Sequence, residues 1–277
     1  MRQRVYYKHK EIPVMFKKYS AQLAINEGLN QLKVPGGLFN HIRGFAVVSF
    51  GSRRSITLET NDYETGLVIL RGKCDINING KDYKGLGERS SVFSGKPTGV
   101  YIPIRKKYTI SAQDAEVAIC SSRCDKDSDF AVINPSDITE KEVGKDNWQR
   151  LVRMIIGPGS SSVNLIVGET LNPPGNWSGT PAHKHEKTSP SIESLHEELY
   201  YFKTDKPQGF GIQRLYSPER NMNELIYLKE DTVTFMPWGY HQIVAGPGYI
   251  LYYLFFLSGA GKDLFGFVDP EHKWIVG

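Results

Sequence analysis

A chain of 277 residues, 40 % hydrophobic and 23 % charged, has the composition of an ordinary globular protein, long enough to bury one large core or two of medium size. Its formal net charge of +4 comes from 34 basic and 30 acidic residues interleaved along the sequence, without the basic block expected of a nucleic-acid binder. The basic N-terminal residues 1–18 lack the continuous apolar stretch of a secretory signal, and the longest apolar run, residues 249–257, is about half of a membrane span.

These features predict a cytoplasmic protein with neither a nucleic-acid nor a membrane partner. The three cysteines, Cys74, Cys120 and Cys124, agree with a reducing compartment. Cys120 and Cys124 have the spacing of half a zinc site, but no second Cys or His pair stands near them, so packed thiols are expected.

In chain order, residues before about Gly28 read as a helical extension. Strand-like runs of β-branched and aromatic residues follow at 45–50, 66–70, 74–78, 100–103 and 116–120. Asn79-Gly80, between Ile78 and Tyr83, predicts a hairpin, because both residues tolerate positive φ in a type I′ turn. Residues 125–146 are polar and broken by Pro135 and Gly144, which marks a linker, with a helical stretch near 136–142. The second half repeats the scheme, with strands expected at 151–156, 163–170, 198–203, 209–216, 224–228, 232–236 and 249–256. This predicts an all-β protein of two tandem barrels or double-layered sandwiches: an extension at 1–28, a first barrel at 29–145 and a second at 146–277.

Tyr101-Ile102-Pro103-Ile104-Arg105-Lys106-Lys107 can be laid on Phe235-Met236-Pro237-Trp238-Gly239-Tyr240-His241, which puts Lys107 where the second half has His241. The first half offers only His9 and His41, far apart and not as a His-x-His pair, so its barrel is expected to be metal-free.

The chemistry-bearing residues gather between Pro181 and His241. On a strand, His183 and His185 point to one face, so both imidazoles can meet at one point. His241 follows a Pro-x-Gly turn, and Glu197 and Glu198 open the aromatic strand Glu198-Leu199-Tyr200-Tyr201-Phe202. Three imidazoles and one carboxylate suit a divalent ion, with zinc or manganese favoured and iron, nickel or cobalt also compatible. Adjacent Glu197 and Glu198 face opposite ways, so only one can be a ligand. If Glu198 is inside, Tyr200 and Phe202 face the barrel interior, Leu199 and Tyr201 pack outside, and His196 stands at the rim or near substrate.

Arg214 lies mid-strand among apolar residues, where a guanidinium needs either a substrate carboxylate or an internal partner. Tyr252 and Tyr253 could supply a proton or fill the barrel. Lys184 and Glu186 point away from the histidine pair and are expected to be solvated. His272 reads as a tail-docking residue.

The order His-x-His, Glu, then a Pro-x-Gly turn with His resembles the metal motifs of cupin barrels, which also selects Glu198 as the carboxylate ligand. A closer resemblance covers nearly the whole chain. The strings Gly85-Leu86-Gly87-Glu88-Arg89, Asp146-Asn147-Trp148-Gln149-Arg150, Pro173-Pro174-Gly175-Asn176-Trp177-Ser178, Pro181-Ala182-His183-Lys184-His185-Glu186, Glu197-Glu198-Leu199-Tyr200-Tyr201-Phe202 and Gly239-Tyr240-His241 are similar to those of the bacterial 5-deoxy-glucuronate isomerases of myo-inositol catabolism, a bicupin family.

That resemblance implies an aldose–ketose isomerisation of 5-deoxy-D-glucuronate to 5-dehydro-2-deoxy-D-gluconate, with His183, His185, Glu198 and His241 as metal ligands. Arg214, Tyr200 and Tyr253 are the candidate catalytic side chains, and the group that moves the proton stays open. The implied partner is a small sugar acid, and homo-oligomerisation is left open. Trp238, Glu230 and the aromatic Tyr253-Leu254-Phe255-Phe256 depart from the family pattern, which leaves room for a related deoxyuronate. A cupin dioxygenase and a non-catalytic sugar-acid binder are the rival readings.

Overall fold

The computed structural model describes residues 18–32 and 37–276. Four antiparallel sheets stack as layers, and two of them belong to each half of the chain. In the first half, the inner sheet runs in the order Ala131–Ile133, Thr98–Ile102, Tyr63–Arg71, Ala115–Arg123, Ile42–Phe50, Gly28–Gln31. Its outer sheet holds Arg54–Glu59, Lys107–Ala112, Cys74–Ile78 and Lys81–Leu86. In the second half, the inner sheet runs Ser20–Gln22, Thr232–Met236, His196–Thr204, Leu251–Gly259, Leu165–Asn172, Arg150–Ile156, Thr139–Val143. The outer sheet there holds Met222–Leu228, Gly211–Ser217, Tyr240–Ala245, Trp177–Lys184 and Phe267–Val268.

Three cores separate these four layers. Within the first half, Val48, Leu67 and Ile69 of the inner sheet meet Ile76, Tyr108 and Ile110 of the outer one. Within the second, Tyr200, Phe202 and Tyr253 meet Leu215, Ile226 and Ile243. The third core lies between the halves, where Phe45, Val68, Tyr101 and Cys120 pack on Leu165, Leu199, Tyr201, Phe235 and Phe256. Each such side chain contributes roughly 1.5–3 kcal/mol on burial, so the inner sheets are held face to face mainly by apolar contact. The inner sheets approach closely at two glycines, since a Cβ would sit 2.5 Å from Ile155 Cγ2 at Gly99 and 2.9 Å from Ile156 Cδ1 at Gly66.

Sandwiching explains the sequence pattern. Every residue of His196–Thr204 is buried, as is nearly all of Tyr63–Arg71, and each strand carries an unbroken apolar run at its centre, residues 199–202 and 67–70. Outer strands such as Lys107–Ala112 have one wet face and alternate. Asn79 (φ 47°) and Gly80 (φ 88°) make the expected turn between the paired strands Cys74–Ile78 and Lys81–Leu86.

Two expectations of helix are corrected. Residues 136–142 form a short 3-10 turn, Pro135–Asp137, and then the strand Thr139–Val143, because that edge pairs with Arg150–Ile156. Of the extension before Gly28, residues 1–17 lie outside the described residues, while Ser20–Gln22 is a strand paired with Thr232–Met236. The polar linker is thus drawn into both halves: Ala131–Ile133 joins the first inner sheet and Thr139–Val143 the second.

Two carboxylates clamp the halves reciprocally. Glu64 of the first half accepts the N–H groups of Val163, Asn164 and Leu165 at 2.7, 2.6 and 2.8 Å, and the Tyr101 hydroxyl at 2.9 Å. Glu197 of the second half accepts those of Asn40, His41 and Ile42 at 2.6, 2.8 and 3.0 Å. A third link is the buried cluster in which Glu169 receives Arg89 at 2.9 Å, Arg153 at 3.0 Å and the Tyr252 hydroxyl at 3.0 Å. Glu64→Gln puts an amide donor against N–H donors and should cost roughly 1–3 kcal/mol of stability. An unchanged melting temperature in that variant would remove the clamp from the account of how the halves are joined.

Candidate metal centre

The second barrel brings its polar residues to one end of the cavity between its two sheets. His183 lies on Trp177–Lys184 directly opposite His241 on Tyr240–Ala245, which makes the two imidazoles cross-strand neighbours with ring centroids 4.9 Å apart. A register shift between Ser178 and His183 re-aims the end of that strand. His185 follows one residue past the strand end, and Glu198 arrives from His196–Thr204.

Glu198 Oε2 lies 3.0 Å from His185 Nε2 and 3.0 Å from His241 Nε2. His185, Glu198 and His241 are all buried and place their ligand atoms within 4.8 Å of one another. His183 stands beside this trio, its ring 6.3 Å from that of His185, and is half-buried. The structure therefore gathers three of the four expected ligands and sets the fourth against them.

The donor set fits a divalent ion. Each imidazole turns Nδ1 to a backbone carbonyl: His183 to Pro181 at 3.3 Å, His185 to His196 at 2.7 Å, and His241 to Gly239 at 3.2 Å. Such bonds fix the ring and leave Nε2 as the inward lone pair. The close approach of His241 Nε2 to Glu198 lacks hydrogen-bond alignment, so this buried nitrogen has no hydrogen-bond partner among the described residues. Two donors each about 2.1 Å from an ion and at right angles around it lie about 3.0 Å apart, which is the spacing observed.

Electrostatics agree. Burial, then the like charges of His241 and His185, push His183 down to about 3, which keeps its imidazole neutral. Burial opposes ionisation of Glu198, yet the imidazoles of His185 and His241 outweigh it and hold the carboxyl well below its usual range. For His185, burial is likewise outweighed by Glu198, which raises that imidazole.

The centre opens on a cavity of about 240 Å³. Tyr200 and Tyr253 both line it, with rings 4.8 Å apart, and the Tyr253 hydroxyl bonds to Ser178. Burial is the largest cause raising both phenols, so they hold their protons and act as donors. His196 is buried on the inward face and bonds the Asp263 carbonyl at 2.6 Å. Tyr252 faces the other way, into the Glu169 cluster. Gly266 lets the 259–268 segment close over the centre, since a Cβ there would come within 2.8 Å of His183 Cδ2.

Arg214 requires correction. It lies on the outer face of Gly211–Ser217, where its guanidinium covers the Tyr216 ring at 3.9 Å and Nε bonds Asn223 at 3.0 Å. Gln213 and Leu215, one residue to either side, are the inward positions and are fully buried. Arg214 does not line the cavity. The guanidinium that does is Arg150, whose strand sends Arg150, Val152 and Met154 to the same face. The signal that could have found it is that alternation, beginning with Arg150 itself. Lys184 also departs from expectation: it is buried over the Tyr240 ring and paired with Glu219 at 3.1 Å.

Layers of antiparallel sheet with a His/Glu cluster in the second barrel define a cupin-fold protein of two barrels. Oxalate decarboxylase from Lactobacillus farciminis superposes with a TM-score of 0.63 at 10 % identity, covering 88 % of this chain and 87 % of that one, and shares the fold. The chain belongs to the KduI/IolB family, which it matches over residues 33–275. It is 34 % identical over 235 residues to the 5-deoxy-glucuronate isomerase of Geobacillus kaustophilus (strain HTA426), covering 84 % of this chain and 85 % of that protein. Identity is also 34 % over 235 residues to the enzyme of the same name in Bacillus subtilis (strain 168), with 84 % and 87 % covered. The crystal structure of an IolB-like protein from Salmonella typhimurium LT2 superposes with a TM-score of 0.89 at 27 % identity, covering 94 % of this chain and 99 % of that one. The chain is an enzyme of the isomerase class.

The ligand assignment predicts opposite outcomes for adjacent residues. Glu198→Gln should weaken metal binding by roughly 10- to 100-fold with the fold retained. Glu197→Gln should lower the melting temperature while folded protein keeps its metal. His183→Ala, His185→Ala and His241→Ala should each lose metal with β-sheet content unchanged; stoichiometric metal in any two of them overturns the assignment.

Proposed function

We propose that this chain catalyses the metal-dependent isomerisation of 5-deoxy-D-glucuronate to 5-dehydro-2-deoxy-D-gluconate. The observation that carries the reading is the buried trio His185, Glu198 and His241, with His183 beside it, opening on a cavity lined by two protonated tyrosines. His183, His185, Glu198 and His241 would hold the ion, zinc or manganese, which supplies a Lewis acid for the oxygens of the reacting carbons. Manganese centres are named for the oxalate decarboxylase of Bacillus subtilis, which shares the fold.

The reaction moves a proton from the carbinol carbon next to the aldehyde onto the former aldehyde carbon, through an enediolate. Tyr253 and Tyr200 donate hydrogen bonds to the oxygens that become negative, and burial makes each bond worth more than it would be in water. The apolar side chains of Val152, Met154, Phe255 and Leu257 limit water around the enediolate.

The first barrel is read as structural and metal-free, because its corresponding positions carry other chemistry. The three free, buried thiols fit a reducing cytoplasm. Among the described residues, no helix is long and apolar enough to cross a membrane.

Proton NMR of purified protein with 5-deoxy-D-glucuronate tests the reading. Turnover under anaerobic conditions, lost on chelation and restored by a divalent ion, is the expected result. Strict oxygen dependence would favour a dioxygenase instead, and turnover that survives complete metal removal would sink the metal role.

A further inference from the structure

We propose that Arg150 is the anchor for the substrate carboxylate and so sets the enzyme's preference for sugar acids over neutral sugars. The inference rests on the isomerase reading for the identity of the substrate, and on the cavity's own geometry for everything else.

The cavity has two chemically distinct ends. Glu198 stands in register with Leu257, which pairs with Ile166, and this row belongs to the imidazole end. Several residues along the same strands, Tyr253 pairs with Thr170, and Thr170 with Val152. Arg150 lies beyond that row on the same face as Val152, so it lines the end away from Glu198, past the tyrosine and threonine hydroxyls.

Arg150 is also the guanidinium whose electrostatic needs the protein leaves open. Arg89 and Arg153, both buried, are paired with Glu169, and Arg153 also with Glu140. Arg150 forms no ion pair among the described residues. Its Nη1 makes two long bonds to backbone carbonyls, Trp148 at 3.3 Å and Val143 at 3.4 Å. Its Nε is buried without a partner. The guanidinium is half-buried, and its Nη2 has no hydrogen bond among the described residues and is not enclosed as Nε is. Such a group favours a planar anion that can take parallel N–H bonds, which is the geometry of a carboxylate. The positive charge is near enough to act on both the Tyr200 and the Tyr253 hydroxyls.

An open-chain uronate has its aldehyde and its carboxylate at opposite ends of six carbons. With the carboxylate on Arg150, the carbonyl and neighbouring carbinol carbon are directed past Tyr253 and Tyr200 toward the histidines. Arg150 thereby supplies binding energy remote from the reacting carbons and fixes which end of the chain reacts.

The test compares Arg150→Gln and Arg150→Lys with the wild type, using 5-deoxy-D-glucuronate and its neutral analogue with a hydroxymethyl group in place of the carboxylate. Arg150→Gln should raise KM for the acid by about 10- to 100-fold, the loss of a charge-assisted hydrogen-bonded contact, with metal content unchanged. Turnover of the neutral analogue should stay as in the wild type, and Arg150→Lys should fall between. A structural role would instead lower the melting temperature and reduce activity on both substrates alike, and that result, or an unchanged KM for the acid, overturns the proposal.

If the wild type does not turn over the acid at all, D-glucuronate titrated calorimetrically into metal-loaded wild type and Arg150→Gln decides the matter. Binding to the wild type and not to the variant upholds the anchor without the isomerase reading. Equal binding, or none to either, overturns it.

Discussion

A buried carboxylate that accepts three consecutive backbone N–H groups is the interaction on which this architecture turns, and the molecule uses it twice. Glu64 receives the chain as it enters Leu165–Asn172, and Glu197 receives it as it enters Ile42–Phe50. The two sites match in register. Glu64 lies opposite Ser122 and Glu197 opposite Ser258, and those two serine hydroxyls touch each other at 2.5 Å between the halves. Each half thus closes the strand entrance of the other, where the buried N–H groups of Leu165 and Ile42 would each cost roughly 1–3 kcal/mol if left unpaired.

This constraint also decides the geometry of the candidate metal centre. Because Glu197 must face the other half, strand alternation turns Glu198 into the barrel. The same step in the first half follows Glu64 with Thr65, which pairs with Ile102 as Glu198 pairs with Met236. Lys107 faces Glu59 there as His241 faces His183, with Nζ 4.0 Å from Oε1 at the surface. Two residues past Glu59, in the place of His185, stands Asn61 with φ 46°. One backbone plan therefore carries two donor sets, one of imidazoles and carboxylate and one of an ion pair, an amide and a hydroxyl.

Most of the fold was legible because the inner strands are buried on both faces and so appear as unbroken apolar runs. Thr232–Met236 and Cys74–Ile78 fall where the sequence puts them. Short edges such as Ser20–Gln22, Ala131–Ile133 and Thr139–Val143 were not legible, since their stability comes from a partner strand far away in sequence and not from their own pattern. The gathering of His185, Glu198 and His241 could be read because His-x-His and a Glu before an aromatic strand are local signals. Arg214 misled for a related reason. An Arg among apolar residues looks buried, but its strand's inward positions are Gln213 and Leu215, and the guanidinium lies over Tyr216.

The distinction between the two arginines is one of parity. Arg214 shares a face with Ile212 and Tyr216 on a strand whose other face makes the barrel core, so its charge stays at the surface. Arg150 shares a face with Val152 and Met154, which line the cavity, so its charge enters it. Imidazole ligands bring no charge and one carboxylate brings a single negative charge, so a divalent ion held by them would leave the cavity with surplus positive charge at one end. Arg150 adds a second positive charge at the other, while burial keeps the tyrosines between them neutral. A cavity charged in this way favours a substrate that carries one fixed anion and develops a second during the reaction. That is the charge history of a uronate passing through its enediolate, and a neutral aldose would satisfy only the end at the histidines.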